Sequence, residues 1–399
     1  MSALQPTLRT ANVQPAFGLP LPAAAGAPPK APHCALERTG FDLGRDHARW
    51  GLVPPAEHLH PGHPVRAGWA AGRIAFAGRT REATVHVRRW LSLRLAAWLR
   101  GQAVDTLQVT PALLRRLHAD ACPVTGQRLS QDAGADSDAV VVALRPDAAL
   151  SPGHLVLMSR RAAQAWRQRA ADEALAIARR LDEAEPGELV DGLDANAWWR
   201  LATLLSFVTP LPQAQAAQLA LRAWPTTRLR LLNPVQSLQV LLTLAFTDPD
   251  GPPPVQALAA MLPAAVHSEF QVFMHTLLAR RVAAGPVDRA GLKRALLVAW
   301  GQPLVQRRWT RLALALEASQ CEALVEQALR RGLVGGLRSL PKAMATDGWA
   351  VEAAAPGATA TPGTAEDPAP ARLVAIERRR RPRAGEPVTA QAQRALPLA

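Results

Sequence analysis

ACPVTGQRLSQDAGADSDAVVVALRPDAALSPGHLVLMSR, residues 121–160, is the stretch in which a cysteine, a tight-turn glycine, a β-branched run, a histidine and a second apolar run follow one another. Cys122, Thr125 and Gly126 belong to a knuckle-like structural turn, CPVTG. Ala139 to Leu144 (AVVVAL) reads as a short buried strand, and Leu155 to Met158 (LVLM) suits its hairpin partner across the loop from Arg145 to Gly153. Ser159 is placed to cap a helix opening at Arg160. The order is therefore turn, strand, long loop, strand, helix.

On the N-terminal side, Val87, Leu91, Leu95 and Trp98 recur at helical spacing behind a capping Thr84, and Gly101 is a natural stop. Thr110-Pro111 opens a shorter helix running to His118. From Phe41 to about Thr80, Trp50 and Trp69 alternate with glycine, proline and histidine, which predicts a loop-rich shell pinned by its tryptophans. Residues 1–40 are rich in proline and alanine without periodicity, and read as a disordered arm. Beyond Arg160 come helical patterns separated by proline or glycine. The first runs unbroken from Ser159 to Glu185, and a later one from Gln306 to Gly332. Residues 349–399 return to alanine, proline and glycine, with Arg378, Arg379, Arg380, Arg381 and Arg383, and read as a disordered basic tail.

The fold class expected is mainly α: a small α+β N-terminal domain with a short β-hairpin (41–160), followed by a multi-helix domain (161–348). No helical repeat of fixed period survives counting.

The formal charge is +14, and only three of the 46 basic residues are lysines, while tyrosine is absent. Such a balance points to DNA or RNA held through the phosphate backbone, or to a coding bias that writes arginine on any surface. Between Phe41 and Thr125 twelve arginines face six acids. Arg88, Arg89, Arg94, Arg115 and Arg116 are the candidate phosphate contacts, from two neighbouring helices. The helical domain is the candidate surface for a protein partner.

Three isolated cysteines, Cys34, Cys122 and Cys321, make neither a disulfide framework nor a zinc knuckle, so a reducing cytoplasm is expected. The N-terminus is a poor signal peptide, and the most apolar run, Leu229 to Phe246, is broken by polar residues and proline, so no membrane association is expected. Glu57, His58, His60 and His63 form a local cluster with nothing to orient its rings, and no metal site is assigned to it. Walker A, G-x-S-x-G, G-x-G-x-x-G and H-E-x-x-H motifs are absent.

The central stretch resembles the ββα-metal core of HNH endonucleases, over residues 121–165. In the bacterial proteins it is closest to, a Cys-Pro-x-Thr turn precedes Ser-x-Asp-Arg on the first strand, then Gly-Asn-Leu and a Met-Ser helix cap. The resemblance implies a divalent ion, magnesium or manganese, held on a scissile phosphate. Here the pattern departs at the chemistry. With Ser137 on the motif serine, Asp-Arg falls on Ala139 and Val140, and Gly-Asn-Leu reads Gly153-His154-Leu155. Asp138 and His154 are the remaining catalytic candidates. Three readings follow: a non-catalytic nucleic-acid-associated protein, a helical interaction scaffold with incidental charge, or an active metal-dependent nuclease needing Asp138 and His154 together.

Overall fold

A computed structural model of the chain describes residues 34–132, 134–285, 287–340 and 348–351. The first helices are α1 (Ala35–Arg49), α2 (Pro64–Phe76), α3 (Val85–Leu99) and the short α4 (Pro111–Arg116). Strands β1 (Ala139–Ala143) and β2 (Leu155–Ser159) follow. Then come α5 (Arg160–Trp166), α6 (Ala171–Asp182), α7 (Ala195–Val208), α8 (Gln213–Ala217), the two-residue β3 (Arg230–Leu231) and α9 (Pro234–Leu244). The described chain closes with α10 (Val255–Ala259), α11 (His267–Ala283), α12 (Arg289–Trp300), α13 (Pro303–Leu314), α14 (Ala318–Arg330), β4 (Leu337–Leu340) and β5 (Gly348–Val351). The protein is mainly α with a small antiparallel hairpin, as its sequence implies. Among the described residues no helix is long and apolar enough to cross a membrane.

Local signals set most boundaries. Thr84, Thr110, Ser159 and Asp194 each accept a backbone N–H in the first turn of the helix they cap. β1 and β2 pair antiparallel with Ala139 opposite Ser159 and Ala143 opposite Leu155.

Several expectations need correcting. The stretch from Phe41 to Thr80 is not a loop-rich shell, and the last six residues of the expected arm, 35–40, are helical. Cys34 caps α1 through a capping box, its sulfur accepting from the Glu37 N–H while the Glu37 carboxylate accepts from the Cys34 N–H. The glycines of this stretch are contact points between helices. A Cβ on Gly44 would overlap the Val65 carbonyl oxygen, and one on Gly68 would overlap that of Phe41. Gly40 lies against Pro64 and Gly72 against Ala48, so α1 and α2 run side by side in the same direction with their backbones nearly touching. Gly44→Ala or Gly68→Ala is expected to force the helices apart and lower stability by about 3 kcal/mol, read as a shift of the urea midpoint.

The pattern from Ser159 to Glu185 is two helices, not one. Arg167 and Gln168 take positive φ (42° and 62°), and Arg167 and Arg169 both reach Asp191, which fixes the corner. The pattern from Gln306 to Gly332 likewise breaks between α13 and α14 at Glu317, which forms a capping box with Gln320.

The helical part also contains a sheet, ordered β3-β5-β4, whose central strand lies at 348–351, across the boundary of the expected tail. Residues 1–33, 341–347 and 352–399, with Arg378 to Arg381 and Arg383, lie outside the described residues.

The hairpin sits at the middle of the core. Ala143 and Leu155 face Leu93, Ala97, Leu113 and Leu117 of the α3–α4 region. Leu144, Val156 and Met158 join the large core of Trp166, Trp198, Leu201 and Leu205. With both faces covered, packing runs unbroken through residue 160, where the sequence suggests a domain boundary.

Candidate functional site

The knuckle, the hairpin and α5 meet at Cys122. Its N–H donates to the Gln127 carbonyl (2.8 Å) and its carbonyl accepts from the Gly126 N–H (2.8 Å), with Gly126 at φ 73°, so the glycine is required by the turn. The buried sulfur accepts from the Ser159 N–H and hydroxyl (3.3 Å each) and from the Thr125 N–H (3.4 Å). Ser159 in turn caps α5 by accepting from the Ala162 N–H. One thiol therefore ties the knuckle to the start of the helix. Burial pushes that thiol up, but the donors of Ser159 and Thr125 more than offset it and hold it below the ordinary cysteine value. Cys122→Ala, which orphans buried donors, is expected to cost about 2 kcal/mol, whereas Cys122→Ser keeps an acceptor and costs less; chemical denaturation of the two variants compares them.

Asp138 and His154 lie at opposite ends of the hairpin. Asp138 precedes β1, and His154 precedes β2 with its carbonyl on the Leu144 N–H (2.9 Å), six residues along β1 from Asp138. At the usual rise per residue that is roughly 20 Å. They cannot share an ion. Asp138 is engaged, accepting from the Arg160 guanidinium at 2.6 Å and the Gly134 N–H at 3.3 Å. His154 is 3 % exposed, with Nδ1 3.3 Å from the Ser151 hydroxyl and the Ala149 backbone carbonyl as its other polar neighbour. Burial, reinforced by the charges of Arg145 and Arg230, pushes its pKa down to about 4, so it is neutral at neutral pH. Among the described residues no three His, Cys, Asp or Glu side chains are grouped to hold a metal ion. His58, His60 and His63 pack ring against ring, with centroids 4.7–5.2 Å apart, under the edge of Trp98.

The five candidate arginines divide. Arg94 is buried, paired with Asp46 at 2.5 Å and stacked on Trp90, so it is a strut between α3 and α1 and not a phosphate contact. Arg88, Arg115 and Arg116 are exposed and Arg89 is half-buried, all without a carboxylate at ion-pair distance among the described residues.

Arg89 and Arg115 gather with two histidines. The His86 ring is held below the ordinary histidine value by burial first and then by the charges of Arg89, His118 and Arg115. Arg89 also feels Asp138, the carboxylate that Arg160 binds. His86 and Arg89 of α3, Arg115 and His118 at the end of α4, and Arg160 at the start of α5 therefore surround one end of the hairpin. His86 and His118 are additions the helical spacing hints at, since His86 stands three residues from Arg89 and His118 three from Arg115, whereas Arg160 is brought in by the fold alone. Which carboxylates the fold brings near is not written locally.

Comparison of the chain with protein-family models, with curated proteins and with solved structures found no match.

Proposed function

We propose that this is a non-catalytic nucleic-acid-binding protein that holds the phosphate backbone with His86, Arg89, Arg115, His118 and Arg160. One observation carries the reading. Arg89, Arg115 and Arg160, from three separate helices, converge at one end of the hairpin with His86 and His118 among them, and the carboxylates near them are already engaged, Asp138 by Arg160 at 2.6 Å and Asp120 by His118 at 3.5 Å. Excess cationic charge on a half-exposed surface costs self-repulsion unless a polyanion neutralises it. The resemblance of residues 121–165 to HNH endonucleases supports the same class of partner. The separation of Asp138 and His154 and the neutral, buried state of the histidine support the non-catalytic part of this reading. A reducing cytoplasm fits Cys34, Cys122 and Cys321, all free thiols.

The test is fluorescence anisotropy of a 20-base-pair duplex across a salt series. Arg89→Ala with Arg115→Ala is expected to weaken binding at least tenfold at 0.1 M salt and to flatten the log–log salt slope by about 1.8, two phosphate contacts at 0.9 each. Unchanged affinity and slope would overturn the reading.

A second reading, a helical interaction scaffold, is favoured by Val282 and Val298, 71 % and 70 % exposed on α11 and α12. It predicts no salt-dependent duplex binding by the intact chain.

A further inference from the structure

We infer that the shared C-terminal end of α1 and α2 is a second binding surface, one that takes single-stranded polynucleotide by stacking bases on arginines already laid flat on aromatic rings. The inference rests on the nucleic-acid reading above but uses none of the same residues.

The parallel run of α1 and α2, forced by their glycine contacts, brings both C-terminal ends together. Three stacked pairs result. Arg45 of α1 lies over Phe76 of α2 (5.9 Å), Arg73 over Trp69 one turn earlier (5.0 Å), and Arg81 over Trp50 (5.8 Å). The Trp69 indole donates to the Leu52 carbonyl (3.0 Å), and the Arg81 N–H donates to the Arg49 carbonyl (3.0 Å), so both rings and the strap behind α2 are held in place. All three arginines are exposed while Trp50, Trp69 and Phe76 are half-buried.

These three stacks differ from the other four in pairing an exposed arginine with no carboxylate among the described residues, since Arg222 on Trp199 and Lys293 on Trp224 are half-buried. Arg94 on Trp90 and Arg169 on Trp198 each have a carboxylate partner, Asp46 and Asp191. Among the described residues Arg45, Arg73 and Arg81 have none. Negative helix ends favour cations here, yet that field asks only for charge, which any lysine supplies. A guanidinium fixed on a ring has already lost much of its rotamer freedom, and it offers its outer face to a base and its edge to a phosphate. Duplex bases have no free face, so the geometry fits a single strand.

The decisive measurement uses the full chain, titrated into labelled 20-nucleotide mixed-sequence DNA, RNA of the same sequence, and an abasic DNA strand of equal length. Base-containing strands are expected to bind at least tenfold tighter than the abasic strand, and the ratio of the DNA and RNA arms tells which polymer is preferred. The triple variant Arg45→Lys, Arg73→Lys, Arg81→Lys keeps every charge. It is expected to lose that tenfold advantage while duplex affinity and thermal midpoint stay unchanged. Equal binding of the abasic strand by the unaltered chain overturns the inference without any variant. So does a lysine variant that binds like the parent, or displacement of the strand by polyglutamate at equal charge concentration, which would mark an acidic protein as the occupant. Failure of the hairpin-end cluster is seen separately, as unchanged duplex binding after Arg89→Ala and Arg115→Ala.

Discussion

Arg94→Ala is expected to destabilise the protein by about 3 kcal/mol and Asp46→Ala by about 4 kcal/mol, the largest single-site effects outside the aromatic core. The guanidinium is 8 % exposed, 2.5 Å from an Asp46 carboxylate that is itself only 26 % exposed, and it stacks on Trp90 at 4.5 Å. Removing either partner leaves a charge in a place water barely reaches, and the more buried arginine makes loss of the aspartate the worse case. Replacing both, Arg94→Met with Asp46→Leu, is expected to cost less than either alanine change alone. Guanidinium denaturation of the four proteins makes the comparison. Single costs under 1 kcal/mol would mean that the pair behaves as if exposed. Duplex affinity measured on the folded Arg94→Ala protein is expected to match the parent, because this arginine faces α1 and not solvent.

Acid is expected to unfold the protein early, with His154 as the principal cause. In the unfolded chain this imidazole titrates near 6.5, and in the fold it takes a proton only at about 4. Between those values the unfolded state binds a proton that the native state refuses, so stability is complete above pH 6.5 and falls as pH drops toward 4. A gap of this size corresponds to roughly 3 kcal/mol. His47, His63 and His86 are held below the ordinary histidine value too, each with burial as the leading cause, and they act in the same direction. Urea midpoints at pH 7 and pH 4.5 measure the total. His154→Asn removes the titrating ring and is expected to recover about half of the loss or more. An unaltered pH slope in that variant would show that the ring is more accessible than its surroundings imply.

The hairpin end of the candidate site is legible in the sequence because each of its signals is short-range. A glycine at the left-handed corner of CPVTG, two apolar runs of strand length and a serine ahead of a helix each act over a few residues. Helix α1 is not legible in the same way. Its glycines resemble loop punctuation until α2 is seen to press on them, and the fourfold spacing of Gly40 with Gly44 and of Gly68 with Gly72 is the signal that would have revealed it. The break at Arg167 and Gln168 is hidden for a similar reason. Nothing local stops that helix, and the corner is held by Asp191, more than twenty residues on.

By itself the chain determined that it would be largely helical, that one short hairpin would open onto a helix capped by Ser159, and that its cysteines would lie too far apart in sequence for a zinc knuckle. Tertiary structure alone decided which charges are free to act. Arg89 and Arg94 stand on one helix, about 140° apart around its axis. One is turned toward other cations at the hairpin end, and the other is locked inside on an aspartate 48 residues away. A side chain's charge is written in its residue type, but its solvation and its counter-charge are set by whatever the fold brings against it.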